Sequence, residues 1–241
     1  MQEFDYIIVG AGSAGCVLAN RLSANSNCNV LILEAGGKDT NPAIHMPIGY
    51  GKTYYDKSVN WGYQTEPDEG LGGRTSYWPR GKVIGGSSSI NAMAYVRGLA
   101  HDFDDWETAG ATGWGWNTVR QSYEGMETQI ELASDGTPLK FGNGPVIVSD
   151  LRKNMHPFSQ NFLQAADDMG WPRATNLNGS ETEGLMTLRS TVKNGRRWSA
   201  ADAYLNPAKS RANLRIISGA LVEKISFDGL RANGLLYRTN G

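Results

Sequence analysis

A stretch near the start of the chain carries the pattern that most restricts the fold. Tyr6–Val9 is a short apolar run typical of a buried parallel strand, Ser13–Leu22 has helical spacing, and Val30–Leu33 is a second apolar run. Glu34 ends the second run, about 20 positions after the last glycine of a G-x-G-x-x-G pattern. Those glycines are Gly10, Gly12 and Gly15. The combination is the βαβ dinucleotide fingerprint, with glycines for close approach to a pyrophosphate and an acid for a ribose hydroxyl. The alternative is a βαβ unit without a ligand.

A second glycine-rich stretch, over residues 81–98, reads GKVIGGSSSINAMAYVRG. Gly85 and Gly86 remove two side chains in succession, so the backbone there can adopt positive φ or approach a flat ligand. Ser87–Ser89 supply hydroxyls and an N-cap, which predicts a turn of helix through Asn91–Val96. The N–H groups of such a turn would face an anion or an electron-rich ring edge. Taken alone, the stretch is equally typical of an ordinary serine-capped turn.

Together the two stretches resemble the glucose-methanol-choline (GMC) oxidoreductases. The similarity continues through residues 102–119, 144–150 and 196–207, and therefore covers nearly the whole chain. The resemblance implies FAD rather than NAD as the cofactor, and it implies the oxidation of an alcohol. Every defined position of the family's first signature is filled, by Gly81, Lys82, Ile84, Gly85, Gly86, Ser87, Ser88, Ile90, Asn91, Tyr95 and Gly98.

The resemblance also implies which residues meet the cofactor. We expect the pyrophosphate at the first glycine loop, Gly10–Gly15, and an adenosine ribose on Glu34. The isoalloxazine is expected against Asn91–Ala94, and the adenine at the backbone of Val222. Trp61 lies where an aromatic residue packs near FAD in relatives, or it packs a surface loop on the core. Some relatives tether FAD through a histidine immediately before the asparagine; this chain has Ile90 there, so we expect non-covalent FAD. The full expected set is Gly10, Gly12, Ser13, Ala14, Gly15, Glu34, Ala35, Trp61, Gly81, Val83, Gly86, Ser87, Asn91, Ala92, Met93, Ala94 and Val222.

The order of patterns predicts an α/β chain, with a Rossmann-like FAD-binding domain and part of a second, α+β substrate domain. Residues 1–143 are expected to form the first part of the FAD-binding domain, ending in a polar, turn-rich boundary over 129–143. Residues 144–195 begin the substrate domain, and residues 196–241 return to an incomplete FAD-binding domain. Helices are predicted at Thr118–Thr128, Pro157–Met169 and Ser199–Leu205, and strands at Val146–Val148, Leu185–Val192, Leu214–Ile217, Leu221–Phe227 and Leu235–Tyr237.

Composition argues against several other classes of protein. Lys and Arg total 23 and Asp and Glu 24, for a net charge of −1, so neither nucleic acid nor an anionic membrane is a favoured partner. No apolar run approaches membrane-spanning length and no signal peptide precedes the first strand, so we expect a cytoplasmic protein. Cys16 and Cys28 have neither metal-ligand nor disulfide spacing, so we expect no metal.

The catalytic base is not expected in these 241 residues. Alcohol oxidation needs a hydride acceptor, which is flavin N5, and a base for the hydroxyl proton, usually a histidine. His45, His101 and His156 stand in the wrong contexts for the C-terminal histidine of the family. We therefore expect a C-terminal half, as a second chain or the rest of a nicked one, and O2, a quinone or another electron acceptor. The alternatives are a hydroxynitrile lyase-type member of the family and a non-catalytic FAD-binding fragment.

Overall fold

The computed structural model describes residues 2–133, 135–174, 178 and 183–239. The chain divides into two compact units: Met1–Ala92 with Asn194–Gly241 form the first, and Met93–Lys193 the second. Residues 93–143 contribute strands and helices to the second unit.

The regular elements of the described residues follow in chain order. The strands are β1 (Tyr6–Val9), β2 (Val30–Glu34), β3 (Tyr63–Gln64), β4 (Tyr77–Trp78), β5 (Ala94–Tyr95), β6 (Glu127–Leu132), β7 (Pro138–Gly142), β8 (Val146–Asp150), β9 (Arg189–Ser190), β10 (Val192–Lys193), β11 (Arg196–Arg197), β12 (Leu214–Ser218), β13 (Ala220–Asp228) and β14 (Arg231–Thr239). The α-helices are α1 (Ser13–Leu22), α2 (Pro42–His45), α3 (Tyr50–Thr53), α4 (Ala100–Thr108), α5 (Trp116–Met126), α6 (Pro157–Asp168) and α7 (Asn206–Ala208). Short 3₁₀ turns occupy Pro47–Gly49, Glu69–Leu71, Gly86–Ser89 and Arg152–Asn154, and Ala201–Leu205 form a π-helix.

A three-stranded parallel sheet, in the order β1-β2-β12, is the core of the first unit. All residues of the central strand β2 are buried, which is why its sequence is almost uniformly apolar. Ile8 of β1 and Ile216 of β12 both pair with Ile32, which fixes the register. The predicted strands and the intervening helix α1 are confirmed, and they form the expected βαβ unit.

The later part of the first unit packs against α1. The Asn20 side chain donates to the carbonyl of Tyr204 over 2.8 Å, and Arg211 donates to Ser23 Oγ over 2.8 Å. The helix predicted over Ser199–Leu205 is present as a π-helix over Ala201–Leu205. The α-helix α7 follows it directly, and Pro207 lies in the first turn of α7, where a missing N–H is tolerated.

The second unit is built on a five-stranded sheet in the order β5-β9-β8-β6-β7. Strands β6 and β8 are parallel, and the other neighbours are antiparallel. Residues 129–143, predicted as a polar, turn-rich boundary, instead contain most of the hairpin formed by β6 and β7. An Asp135-Gly136 pair lies between the strands, a dipeptide typical of hairpin turns, and β7 is exposed along its length, which explains its polar composition.

The predicted helical turn at Asn91–Val96 is also wrong. A 3₁₀ turn occupies Gly86–Ser89, and Ala94–Tyr95 form strand β5. Two serine hydroxyls donate backwards, Ser88 Oγ to the carbonyl of Gly85 and Ser89 Oγ to that of Ile84. These hydroxyls stabilise the preceding turn and do not cap a following helix.

The remaining predicted elements differ in detail. Helix α6 is confirmed, and α5 begins at Trp116 after Gly115 and ends at Met126, not at Thr128. Only the end of the predicted strand Leu185–Val192 is extended, as β9 and β10. Within the described ranges, no helix is long and apolar enough to cross a bilayer.

Candidate functional site

The first unit contains a cavity of about 430 Å³ at the carboxyl ends of β1 and β2. Ligands of open α/β sheets bind in such a crevice. The predicted cofactor residues that line it are Gly10, Gly12, Ser13, Glu34, Ala35, Trp61, Gly81, Gly86, Ser87 and Val222. The chain therefore brings the two glycine-rich stretches, the acid of β2 and the start of β13 to one place.

The first glycine loop presents backbone to this cavity. Gly12 is the N-cap of α1 and has no side chain to satisfy the first-turn N–H groups, so these donors are available to an anion. A Cβ at Gly15 would lie only 1.9 Å from the carbonyl oxygen of Gly10, so a side chain there would push α1 away from the loop. Glycine at this position is what lets the helix begin directly behind the turn.

The second glycine loop packs on the first. The N–H of Gly85 donates to the carbonyl of Ala11 over 2.7 Å, which joins the loops directly. Gly86 has φ +56°, and a Cβ there would lie 2.6 Å from Gly12 Cα. This close contact, the glycine cradle, leaves no room for a side chain at Gly86, so Gly12 and Gly86 present only backbone to the cavity, as close approach to a diphosphate requires.

Glu34 holds the rim of the cavity together. It is 5% exposed, and its carboxylate accepts the Ala11 N–H at Oε2 and the Gly36 N–H at Oε1, each over 2.8 Å. Burial raises the pKa of Glu34, an effect that these two hydrogen bonds and then Lys82 oppose. Each carboxylate oxygen can accept a further hydrogen bond, so a ribose hydroxyl could still bind.

The Trp61 wall of the cavity is organised by Asn60. The buried Asn60 side chain donates to the carbonyl of Tyr54 and accepts from the N–H groups of Gly62 and Arg80. The backbone N–H of Trp61 donates to the carbonyl of Arg80 over 2.9 Å. The Lys82 ammonium lies 4.6 Å from the centre of the Trp61 ring, a cation–π contact.

Other predicted site residues are not among the cavity lining. Gly15 and Val83 are buried, Ala14 is exposed on α1, and Asn91 accepts a hydrogen bond from Arg197 at its side-chain oxygen. Ala92 ends the first segment of the first unit, and Met93 and Ala94 belong to the second unit. Five residues that line the cavity were not predicted from the sequence. Those at strand ends could have been, because ligands of open α/β sheets bind at the carboxyl ends of the strands. The five are Val9, Leu33, Arg80, Ala220 and Leu221.

The three histidines have local roles. A ring nitrogen of His45 bonds the carbonyl of Asp39 over 2.6 Å, and His101 lies 3.5 Å from Asp102 on an exposed surface. The His156 ring accepts the N–H of Phe158 and so caps α6, which begins at Pro157 as expected. No histidine lines the cavity of the first unit.

The second unit contains a buried polar network around Glu127. The carboxylate accepts from Arg97 Nε over 2.9 Å and Nη2 over 2.5 Å, from Gln129 over 2.7 Å, and from the Tyr95 hydroxyl. Burial, followed by the bond to Glu127, raises the pKa of Tyr95. Tyr95 and Arg97 belong to the end of the second glycine-rich stretch (residues 81–98), and the network joins this end to β6.

The second unit also has a cavity of its own, of about 450 Å³. Its arginines are already paired: Arg189 with Glu131 and Asp150, Arg152 with Asp150, and Arg173 with Asp167. Because these charges are neutralised within the unit, the described residues that line this cavity offer no free cation for an anionic group.

A parallel βαβ sheet, a backbone-lined crevice at its carboxyl edge and a buried acid at the end of the second strand define a dinucleotide-binding α/β protein. The GMC oxidoreductase family model matches residues 4–241, and the chain belongs to that family. FAD is the cofactor that this membership indicates, and the double-glycine cradle fits it.

Relatives with assigned activities extend the comparison. The chain is 44% identical to alcohol dehydrogenase (acceptor) of Pseudomonas putida, over 97% of the chain and 42% of the relative. It is also 44% identical to mitochondrial choline dehydrogenase of Mus musculus, over 100% of the chain and 41% of the relative. The crystal structure of pyridoxine 4-oxidase from Mesorbium loti matches with a TM-score of 0.89 and 34% identity, over 99% of the chain and 46% of that structure. The chain thus spans less than half the length of these relatives.

Proposed function

We propose that the protein oxidises an alcohol to a carbonyl with non-covalently bound FAD. The observation that carries the proposal is the single crevice formed by two glycine loops that hydrogen-bond to each other between Gly85 and Ala11. Relatives named for alcohol, choline and pyridoxine support an alcohol as the substrate class. When bound, the flavin supplies the acceptor for a hydride from the alcohol carbon.

The residues of this chain would bind and orient the cofactor. The first turn of α1 would take the diphosphate on backbone N–H groups, and Glu34 would accept ribose hydroxyls. The backbone of Val222 would meet the adenine, and Asn91–Ala94 would lie against the isoalloxazine. Ile90 precedes Asn91 where some relatives have a tethering histidine, which supports reversible binding.

We further propose that another part of the protein supplies the histidine base, as a C-terminal half. The chain covers 42% of its bacterial relative, and β1 pairs on one side only among the described strands. Tyr6 and Val9 of that strand are 50% and 53% exposed. An apolar strand with an open edge is a surface that needs a covering strand. The electrons would then pass to O2, a quinone or another acceptor.

The two units would have different roles. The first, with the cavity, would be the FAD-binding domain, and the second would begin the substrate domain. Cys16 and Cys28 are both free thiols, which supports a reducing compartment such as the cytoplasm.

The experiment compares the full-length protein with residues 1–241 alone. Both are assayed with an artificial electron acceptor and a panel of primary and secondary alcohols that includes choline and pyridoxine. We expect turnover by the full-length protein and none by the shorter chain, because a general base contributes roughly 10²–10⁴-fold. Steady turnover by residues 1–241 would show that the catalytic base lies within these residues and not in a C-terminal half. Cyanohydrin cleavage without alcohol oxidation would identify a lyase, and FAD binding with neither activity would identify a binding module.

A further inference from the structure

Arg197 is a buried cation with no anionic partner in contact. It is 1% exposed, and it is the largest of the fully buried side chains. No carboxylate of the described residues lies within ion-pair distance of its guanidinium, unlike the arginines of the second unit. Charged groups are almost never fully buried unless they are paired, because burial without compensation costs several kcal/mol.

The hydrogen bonds of Arg197 all end on neutral acceptors. Nε donates to the carbonyl of Ile44 over 2.7 Å, and Nη1 donates to the carbonyl of Ser88 over 3.1 Å and to Asn91 Oδ1 over 2.7 Å. Within the described part of the chain, Nη2 has no hydrogen-bond partner. The guanidinium therefore holds both ends of the 88–91 segment and still has an unsatisfied donor.

The charge persists at neutral pH. Burial lowers the pKa of Arg197 to about 10, and only the more distant carboxylate of Asp202 opposes this. That carboxylate is itself engaged, because Asp202 accepts from the N–H and hydroxyl of Ser199. The first unit thus places an almost uncompensated positive charge directly behind the second glycine loop, of which Gly86 and Ser87 line the cavity.

We infer that Arg197 is a positioning and charge-tuning residue of the flavin site, which fixes Asn91 and the loop before it and raises the reduction potential of bound FAD. The inference rests on the proposed placement of the isoalloxazine against Asn91–Ala94. Reduction adds negative charge to the flavin, and a fixed cation in a low-dielectric wall favours the more negative state. The reduced cofactor would therefore compensate the buried charge of Arg197 more fully than oxidised FAD does.

The test measures the midpoint potential of FAD in the full-length protein by titration against a reference dye. Arg197→Gln removes the charge, and Arg197→Lys keeps it while losing the forked geometry. Asp202→Asn removes the opposing charge; its side chain can still accept from Ser199. Arg211→Gln is the matched control, because Arg211 is a partly buried arginine of the same unit that donates to Asn20 and Ser23.

We expect Arg197→Gln to shift the ratio of oxidised to reduced flavin at a fixed potential at least tenfold towards the oxidised form. This corresponds to a midpoint about 30 mV lower for a two-electron couple. Arg197→Lys should retain most of the wild-type midpoint, Asp202→Asn should raise it, and Arg211→Gln should leave it unchanged. FAD affinity should fall in both Arg197 variants, because both weaken the clamp on Asn91.

An unchanged midpoint in Arg197→Gln, or equal shifts in the Gln and Lys variants, would overturn the inference. If Arg197→Gln fails to fold or to hold FAD, Asp202→Asn decides, and a midpoint that falls or stays constant in that variant contradicts the charge argument. A wild-type protein that holds no FAD would instead refute the proposed function, so the two failures are distinguishable.

Discussion

Replacing Glu34 by glutamine tests the binding site with a change of one atom. The carboxylate accepts two backbone N–H groups, from Ala11 and Gly36, and it is almost fully buried. A glutamine has only one acceptor oxygen, so its NH₂ group must face one of these N–H groups. The variant therefore damages both the rim of the cavity and the proposed ribose contact.

The magnitude follows from the number of charged hydrogen bonds lost. A hydrogen bond to a charged group contributes about 1.5–3 kcal/mol, so loss of the ribose contact should weaken FAD binding roughly 10- to 150-fold. An unsatisfied buried N–H costs about 1–3 kcal/mol more, which should lower the free energy of unfolding of the apo protein. Glu34→Ala removes both acceptors and should weaken FAD binding at least tenfold as well.

The assay titrates FAD into full-length apo protein and follows the quenching of flavin fluorescence. Glu66→Gln is the control, because Glu66 is an exposed residue of the same unit and undergoes the same chemical change. We expect the control to bind FAD as the wild type does. An affinity of Glu34→Gln within twofold of the wild type would refute the role of this carboxylate.

Three further predictions concern the thiols, the glycine cradle and the buried ion pair. Burial raises the pKa of Cys16 to about 12, so iodoacetamide at pH 8 should label Cys28 and leave Cys16 unmodified until the protein unfolds, as mass spectrometry would show. The stabilisation from the neutral Cys16 thiol is complete below pH 9 and is lost as the pH rises towards 12, so Cys16→Ala should flatten the alkaline part of the stability profile. Gly86→Ala should abolish FAD binding, measured by the same titration, because its Cβ meets backbone at 2.6 Å. Glu127→Gln should destabilise the protein by about 3 kcal/mol in denaturant unfolding, because it leaves the guanidinium of Arg97, whose side chain is only 11% exposed, without its charged partner.

Matched variants control these predictions. Gly51→Ala places a Cβ in open space and should leave FAD binding unchanged. Glu124→Gln breaks an exposed pair with Arg120 and should cost less than about 0.5 kcal/mol. Labelling of Cys16 in the native state, FAD binding by Gly86→Ala, or equal stabilities of the two glutamate variants would each contradict the corresponding argument.

The part of the site that could be predicted from the sequence is the part set by neighbouring residues, namely apolar runs and glycine turns. The strands around Gly10–Gly15 and the acid at Glu34 were recognisable because buried parallel strands read as apolar runs and the turn between strand and helix requires glycine. Val9 and Leu33 were missed as lining residues, although they end predicted strands and therefore reach the crevice.

The errors arose where side chains compete with the backbone or where burial is set by distant residues. The hydroxyls of Ser88 and Ser89 donate backwards, so the turn forms earlier in the chain than the capping rule indicates. The exposed edge strand Pro138–Gly142 has the composition of a loop. Arg197 and Asn60 resemble surface residues in the sequence, and only the fold shows that both are buried.

The most direct test of the account is an anaerobic spectrum of the full-length protein before and after addition of an alcohol. We predict a flavin spectrum that bleaches on addition of a substrate alcohol and recovers when an electron acceptor is admitted, with all flavin released into the supernatant after acid precipitation. A flavin that stays oxidised with every alcohol of the panel, or that remains attached to the precipitated protein, would contradict the claim that this fold binds FAD reversibly for alcohol oxidation.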